Sequence, residues 1–397
     1  MTYLKQLTTN PQQTNRAIWL IGIVLFTLAG TRLGYESWRL LLDDSRFGAV
    51  DFYAYYNETR FWFADPSESI VDETVTPLPA TFILLWPLLG WLSAENALIL
   101  WTVAMIAALG GLIYLTLRDL ALDDWRHKLL VVLYLLAIFP TGVTIGNGQL
   151  TFFALLVLTV VLRYLNRHRP SWRRAITATP LLLLALMKPH ISVPFFWLIL
   201  WHQRAWRAVG LTFVSYLGLT ALALSFQPPG WFDRWLFDTT QASADYGYGN
   251  IPLFLGGFGL GEYSFLFTLI IFLLAGGWVY LHRDSDFLLL FGICTLVARI
   301  WTYHGLYDDW MIVWVMVILG RLQARPKMAA WRTHIRVLIG ALAIGLLVPA
   351  TLFRWQNWVG EVGRTTQLAL WVGTLAWLMW LTWRERVEAK RLLSHAR

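Results

Sequence analysis

Polar residues that could do chemistry stand at a few junctions of an otherwise strongly apolar sequence. Asp51 could act as a general base, because an ionised carboxylate can take the proton of a hydroxyl group. Lys188 and Arg299 carry positive charge that could stabilise a phosphate, and His304 adds a ring nitrogen four residues before Asp308. Together these residue types predict base catalysis coupled to electrostatic stabilisation of a departing anion.

The position of Lys188 is unusual for a charged side chain. It stands in Leu-Met-Lys-Pro-His between two apolar blocks of about fourteen and twelve residues, both short for membrane-spanning helices. The junction should therefore lie below the lipid headgroups, where a charge costs up to roughly 2.5–3.5 kcal/mol. Snorkelling towards the interface is an alternative interpretation for Lys188, and equally for Arg299.

The remaining candidates gain weight from their convergence. His304 alone could be an interfacial histidine, and Asp308 and Asp309 alone could begin a helix, where carboxylates suit the macrodipole. All of these residues are nevertheless expected on one face of the membrane. Neighbouring polar and aromatic residues are predicted to line the same site: Tyr53, Tyr56, Asn147, Gln149, His190 and Tyr307.

The elements that must position these residues are apolar blocks. The chain of 397 residues is 57% hydrophobic and 14% charged, which excludes an ordinary soluble domain. Cys294, the single cysteine, lies in an apolar block, so a disulfide framework is excluded. The blocks are 17–30, 78–92, 95–117, 129–145, 149–166, 174–187, 190–201, 208–226, 263–281, 286–301, 308–322, 335–353 and 367–384.

The distribution of basic residues predicts the topology. Lys and Arg number 32, and 23 of them fall in the N-terminal leader and in alternate loops, the pattern of cytoplasmic segments. This parity holds if the block 78–92, which contains Pro79 and Pro87, does not cross. The prediction is an all-α polytopic protein with about twelve transmembrane helices, both termini cytoplasmic, and two long outer loops, 31–77 and 227–262.

The first outer loop is predicted to contain an interfacial helix over residues 50–63. The spacing gives it an amphipathic pattern typical of a helix lying on the membrane. Phe52, Tyr56 and Phe63 share one predicted face, and Asp51, Tyr55 and Glu58 share another.

Several short motifs resemble the GT-C glycosyltransferases, and more narrowly glycosyltransferase family 87. They are Asp-Phe-Tyr-Ala-Tyr-Tyr at 51–56, Thr-Pro-Leu-Pro at 76–79, Asn-Gly-Gln-Leu-Thr at 147–151, Leu-Met-Lys-Pro at 186–189 and His-Gly-Leu-Tyr-Asp at 304–308. They occur in the order of the family. One departure is Pro-Leu-Pro, where an aromatic residue followed by two prolines is expected.

The resemblance implies a GT-C fold and an extracytoplasmic site in a bacterial inner (plasma) membrane. The implied donor is a polyprenyl-phosphate sugar, with mannose as the expected hexose, and the acceptor is a glycolipid or glycan. The implied mechanism is inversion, with Asp51 as the base and with Lys188 and His304 near the donor phosphate. Nucleic acid is not expected as a partner. A catalytic module over residues 1–226 is expected, with more variable helices over 227–397.

Alternatives remain open from the residues alone. A retaining reaction would need a second carboxylate, Asp308 or Asp309, as nucleophile. We expect chemistry that needs neither a metal nor a cofactor. The alternative is a divalent ion held by Asp51, Asp308 and Asp309, but the nearby cations disfavour it. A transporter or flippase of a lipid-linked or anionic substrate, or a subunit without catalysis, is the alternative to an enzyme.

Overall fold

The computed structural model describes residues 11–43, 48–63, 77–167, 169–237, 249–349, 352 and 358–395, and all regular structure within them is helical. The α-helices are α1 (Pro11–Leu41), α2 (Val50–Phe61), α3 (Ala80–Leu89), α4 (Ala94–Leu120), α5 (Trp125–Ala137), α6 (Phe139–Asn147), α7 (Thr151–Asn166), α8 (Trp172–Ala185), α9 (Pro189–Ser192), α10 (Phe195–Trp197), α11 (Trp206–Leu224), α12 (Ile251–Gly256), α13 (Ser264–Leu281), α14 (Phe287–Ile300), α15 (Ile312–Ala324), α16 (Arg332–Leu347) and α17 (Trp358–His395). A π-helical segment covers Leu198–His202, and 3₁₀ turns cover Gly261–Tyr263, Leu306–Met311 and Pro326–Trp331. Residues 231–237 are also helical.

Fewer helices qualify as membrane spans than the sequence predicts. Within the described residues, five segments are long and apolar enough to cross a membrane, among them α1 and α4. The helices α5 and α6 form a sixth candidate that is bent by 52°. Pro140 lies in the first turn of α6 and cannot donate a backbone hydrogen bond, which explains why one predicted block becomes two helices. The count of about twelve spans is therefore not confirmed.

The short helix α3 occupies the block that was predicted not to cross. Its ten residues rise about 15 Å, half the thickness of the hydrocarbon core. Pro87 lies inside the helix, and Gly90 follows its last residue. This length agrees with a re-entrant or interfacial segment.

The first helix extends well beyond the predicted block 17–30. It continues to Leu41, so Arg32 and Arg39 belong to the helix and not to the outer loop. The polar residues of this extension are paired, with Arg39 contacting Glu36 at 2.6 Å. Because the pair offsets the charge, the helix can continue where the hydropathy of the sequence falls.

The basic loops lie together at one end of the bundle. Arg163 pairs with Asp119, and Arg204 pairs with Asp284 at 3.1 Å. Arg325 contacts both Asp286 at 2.8 Å and Glu385 at 3.8 Å. These ion pairs join the loops that the charge pattern places in the cytoplasm.

Cysteine labelling can test the orientation. Asp123→Cys, in an exposed basic loop, should resist a membrane-impermeant reagent added outside intact cells, whereas Glu262→Cys should react. Cys294 is buried and should stay silent in both variants. Outside labelling of the first variant with protection of the second would reverse the topology.

Candidate active site

The start of α2 is fixed against the turn that follows α6. Gly148 has φ 68°, and a Cβ atom there would lie 2.6 Å from the Cβ of Phe52, so glycine alone allows this approach. Ala49 donates its N–H to the carbonyl of Gly146 at 3.1 Å. Phe52 is fully buried and packs on Trp101 with ring centroids 5.8 Å apart. The helix thus packs into the protein and does not simply rest on the membrane.

Asp308 is the centre of a buried polar cluster. It is 0% exposed and lies in the 3₁₀ turn before α15. Its two carboxylate oxygens accept hydrogen bonds from five donor groups drawn from three parts of the chain. They are Thr151 (3.0 Å) and Lys188 (2.6 Å) on Oδ1, with His190 (3.2 Å), His304 (3.2 Å) and the N–H of Gly305 (3.2 Å) on Oδ2.

These contacts keep Asp308 ionised. Burial raises the pKa of Asp308, but the Lys188 charge and the bonds from His190 and His304 hold that pKa well below its usual range. An ionised carboxylate only accepts hydrogen bonds, so Nδ1 of His304 must carry the hydrogen that points at it. Burial lowers the pKa of His304 to about 3, and its ring is neutral.

The protonation of His304 has a direct consequence for its second ring nitrogen. Nε2 of a neutral ring protonated on Nδ1 is a hydrogen-bond acceptor. This atom is buried and has no hydrogen-bond partner among the described residues. Burial likewise lowers the pKa of His190, against the charge of Asp308.

Lys188 is held on three sides. Its Nζ donates to Thr151 at 2.7 Å and to Asp308 at 2.6 Å, and it lies 4.2 Å from the ring centroid of Tyr307. The side chain is 4% exposed. Burial lowers the pKa of Lys188, and Asp308 opposes that effect.

Asp51 lies beside this cluster, where the sequence predicts the base. Burial raises the pKa of Asp51, while hydrogen bonds from Gln149 and Asn147 and the charge of Lys188 oppose the rise. Burial therefore outweighs the nearby cation, and the carboxylate is a stronger base than in water. Its Oδ2 is buried and has no hydrogen-bond partner among the described residues.

A second buried ion pair adjoins the first. Arg299, at the end of α14, whose residues are all buried from Leu289 onwards, contacts Asp309 through Nε and lies 4.1 Å from the ring centroid of Trp371. Gln367 donates to Asp309 at 3.3 Å. Burial raises the pKa of Asp309 to about 6, against the charge of Arg299. The last helix, α17, thus contributes to the site, which draws on both sides of the predicted boundary at 226.

Most of the predicted site residues come together. Those in the cluster or touching it are Asp51, Asn147, Gln149, Lys188, His190, Arg299, His304, Tyr307 and Asp308. Tyr53 is 39% exposed, and Tyr56 donates its hydroxyl to the carbonyl of Leu92 at 2.9 Å, so the hydrogen bonds and ring contacts of the cluster described above include neither of them.

Some residues of the site were not predicted as such. Gln367 is a polar side chain at the head of an apolar block, which could have marked it. Thr151 is the last residue of the Asn-Gly-Gln-Leu-Thr motif, but its spacing did not predict a contact with Lys188. The contact of Arg39 with Asn147, at 3.0 Å, joins positions that only the packed structure brings together.

The described residues contain one group with the spacing of metal ligands. The ligand atoms of His190, His304 and Asp308 lie within 4.8 Å of one another. This group shares only Asp308 with the carboxylate set considered from the sequence. Both oxygens of Asp308 already accept several hydrogen bonds, one from the Lys188 ammonium, which disfavours a second cation there. Metal independence stays a prediction.

Several long apolar helices around a buried charged cluster define an integral membrane protein. The chain belongs to glycosyltransferase family 87, because the model of that family matches residues 78–302, more than half of the chain. Membership makes the protein a glycosyltransferase. The matched region contains Lys188 and Arg299 but neither Asp51 nor His304. No curated protein and no solved structure matches the chain significantly.

Proposed function

We propose that the protein transfers a hexose, with mannose as the expected sugar, from a polyprenyl-phosphate donor to a hydroxyl group of a glycolipid or glycan. The reaction takes place at the extracytoplasmic face of a bacterial inner membrane and inverts the anomeric centre. Asp51 is the general base.

One observation carries the proposal: two buried acceptor atoms in the site have no hydrogen-bond partner among the described residues. They are Oδ2 of Asp51 and Nε2 of His304. A buried acceptor without a donor costs roughly 1–3 kcal/mol, and a ligand that brings hydroxyl groups removes that cost. A sugar and an acceptor alcohol both bring such groups.

The reaction is a single displacement. The acceptor oxygen forms a bond to the anomeric carbon as its proton passes to Asp51, and the bond from that carbon to the phosphate oxygen breaks. The bonding electrons leave with the phosphate, which becomes a polyprenyl monophosphate carrying one more negative charge. One carboxylate acting once inverts the centre, so a β-linked donor gives an α-linked product.

The phosphate-binding roles follow from the charges of the cluster. Lys188 is the proposed donor-phosphate contact, exchanging its bond to Thr151 or its contact with Tyr307 for a phosphate oxygen. Because His304 is neutral and its free nitrogen accepts, we assign it to a substrate hydroxyl in place of the phosphate contact predicted from the sequence. Arg299 faces Asp309 and is the weaker phosphate candidate.

Turnover in detergent tests the proposal. Purified protein with polyprenyl-phosphate mannose and a glycolipid acceptor should release polyprenyl phosphate and give an α-linked product, with EDTA present or absent. A transporter would give no product without two compartments. Turnover only with a nucleotide sugar, or a β-linked product from a β-linked donor, would contradict the proposed reaction.

A further inference from the structure

Arg39 fixes the orientation of the Asn147 side-chain amide. Its Nη2 lies 3.0 Å from the Asn147 atom assigned as Oδ1. A guanidinium group only donates hydrogen bonds, so the atom that faces it must be the oxygen. The amide N–H₂ group of Asn147 is therefore left for Asp51, which lies between Ala49 and Phe52, the two residues that contact Gly146 and Gly148.

The Gln149 amide is fixed in the same sense. Its Oε1 accepts the backbone N–H of Leu150 at 3.2 Å, and a backbone N–H can only donate. The Tyr55 hydroxyl adds a second bond to the same oxygen at 3.2 Å. The N–H₂ group of Gln149 is likewise left for Asp51, which lies one turn before Tyr55 on α2.

We infer that Arg39 and Tyr55 are positioning residues for the proposed reaction, because they hold two amides with their N–H₂ groups towards Asp51. This rests on the proposed role of Asp51 as the base. Neither residue needs to touch the substrate. An amide N–H donated to a carboxylate favours the ionised form, the one that can take a proton. The two amides therefore offset part of the effect of burial on Asp51.

The structure holds Arg39 firmly in place. Its Nη1 contacts Glu36 at 2.6 Å, one turn earlier on α1. A Cβ atom on Gly146 would lie 1.9 Å from Oε2 of Glu36 and 3.1 Å from Nη1 of Arg39. Because Gly146 has no side chain, the Glu36–Arg39 ion pair can pack against the end of α6, next to Asn147.

The other groups that act on Asp51 come from three elements. Tyr55 lies on its own helix, Lys188 follows α8, and Tyr307 and Asp308 precede α15. Burial raises the pKa of both tyrosines well above 10, so they stay neutral over the working range. Arg39 contacts Asn147 directly, so its removal should reach Asp51 through Asn147.

The test is the pH dependence of kcat/KM for the full-length protein, with polyprenyl-phosphate mannose as donor. The double variant Glu36→Gln/Arg39→Met removes both members of the pair, while Arg32, which also faces Glu36, keeps its bond to the carbonyl of Ala137. The acidic limb of its profile should move up by about one pH unit, the size expected when one hydrogen bond to a charged group is lost. Tyr55→Phe should move it in the same direction by less.

Arg32→Met is the matched control. Arg32 lies on the same helix two turns earlier and also faces Glu36, but it donates to the carbonyl of Ala137 and not to Asn147, so its loss should leave the limb in place. Should the double variant not fold, Asn147→Leu keeps the approximate volume and removes the N–H₂ group without adding a charge, and the limb should again move up.

The possible outcomes distinguish the role of Arg39 from the role of Asp51. A limb that stays fixed while kcat falls equally at every pH would assign Arg39 a purely structural role and overturn the inference. If Asp51→Asn is inactive in the same assay, the proposed base still stands in that case. If Asp51→Asn keeps its activity, the assignment of Asp51 as the base fails, and the inference fails with it.

Discussion

Asp51→Asn should lower turnover by about two orders of magnitude or more, while the affinity for the donor is largely kept. The substitution keeps the shape of the side chain and removes the proton acceptor, and general-base catalysis typically contributes roughly 10²–10⁴-fold. The measurement is kcat for sugar transfer, set beside the affinity for a non-reactive donor analogue.

Glu58→Gln is the control for this prediction. It makes the same carboxylate-to-amide change two turns further along α2, outside the buried cluster, and should leave kcat within a few-fold of wild type. If kcat of Asp51→Asn also stays within a few-fold of wild type, another group accepts the proton, and Asp309 is the next carboxylate to test. Loss of donor binding in that variant would instead make Asp51 a substrate-positioning residue.

Lys188→Ala should have the second large effect, on stability and on donor binding together. It leaves Asp308 as a buried carboxylate without its ammonium partner at 2.6 Å. Removing one member of a buried pair typically costs about 3–5 kcal/mol. Thermal unfolding in detergent should show a large drop in midpoint, and the affinity for a donor analogue should fall more than the affinity for the acceptor.

A double variant separates folding from binding. Lys188→Met/Asp308→Asn removes both charges, and the new amide can accept from His304 and donate to Thr151. It should regain much of the lost stability without regaining donor affinity. Asp284→Ala, which breaks an ion pair exposed on both sides, should change stability by only about 0.5 kcal/mol. Donor affinity equal to wild type in both Lys188 variants would remove Lys188 from the phosphate site.

The sequence predicts the helical architecture and the convergence of the site because both follow from hydropathy and loop parity. Asp51, Lys188 and His304 lie at helix ends that alternate parity places on one side, and the structure brings them together. Pro140 was a visible signal for the bend between α5 and α6, since proline in a helix removes a backbone donor.

The pairing of charges could not be predicted in the same way. The contacts Lys188–Asp308 and Arg299–Asp309 depend on how α8, α14 and α15 pack, which the spacing of charged residues does not encode. The sequence therefore presents these cations as available for a phosphate, and the structure shows each facing a carboxylate. The neutral state of His304 depends on the same packing.

A structure with a non-reactive polyprenyl-phosphate sugar analogue tests the central claim most directly. In a single displacement the base and the leaving group lie on opposite faces of the anomeric carbon. The analogue should bind with that carbon facing Asp51, its phosphate turned away towards Lys188, and room for an acceptor hydroxyl beside the free carboxylate oxygen. A sugar bound away from Asp51, or a phosphate in contact with Asp51, would contradict the account.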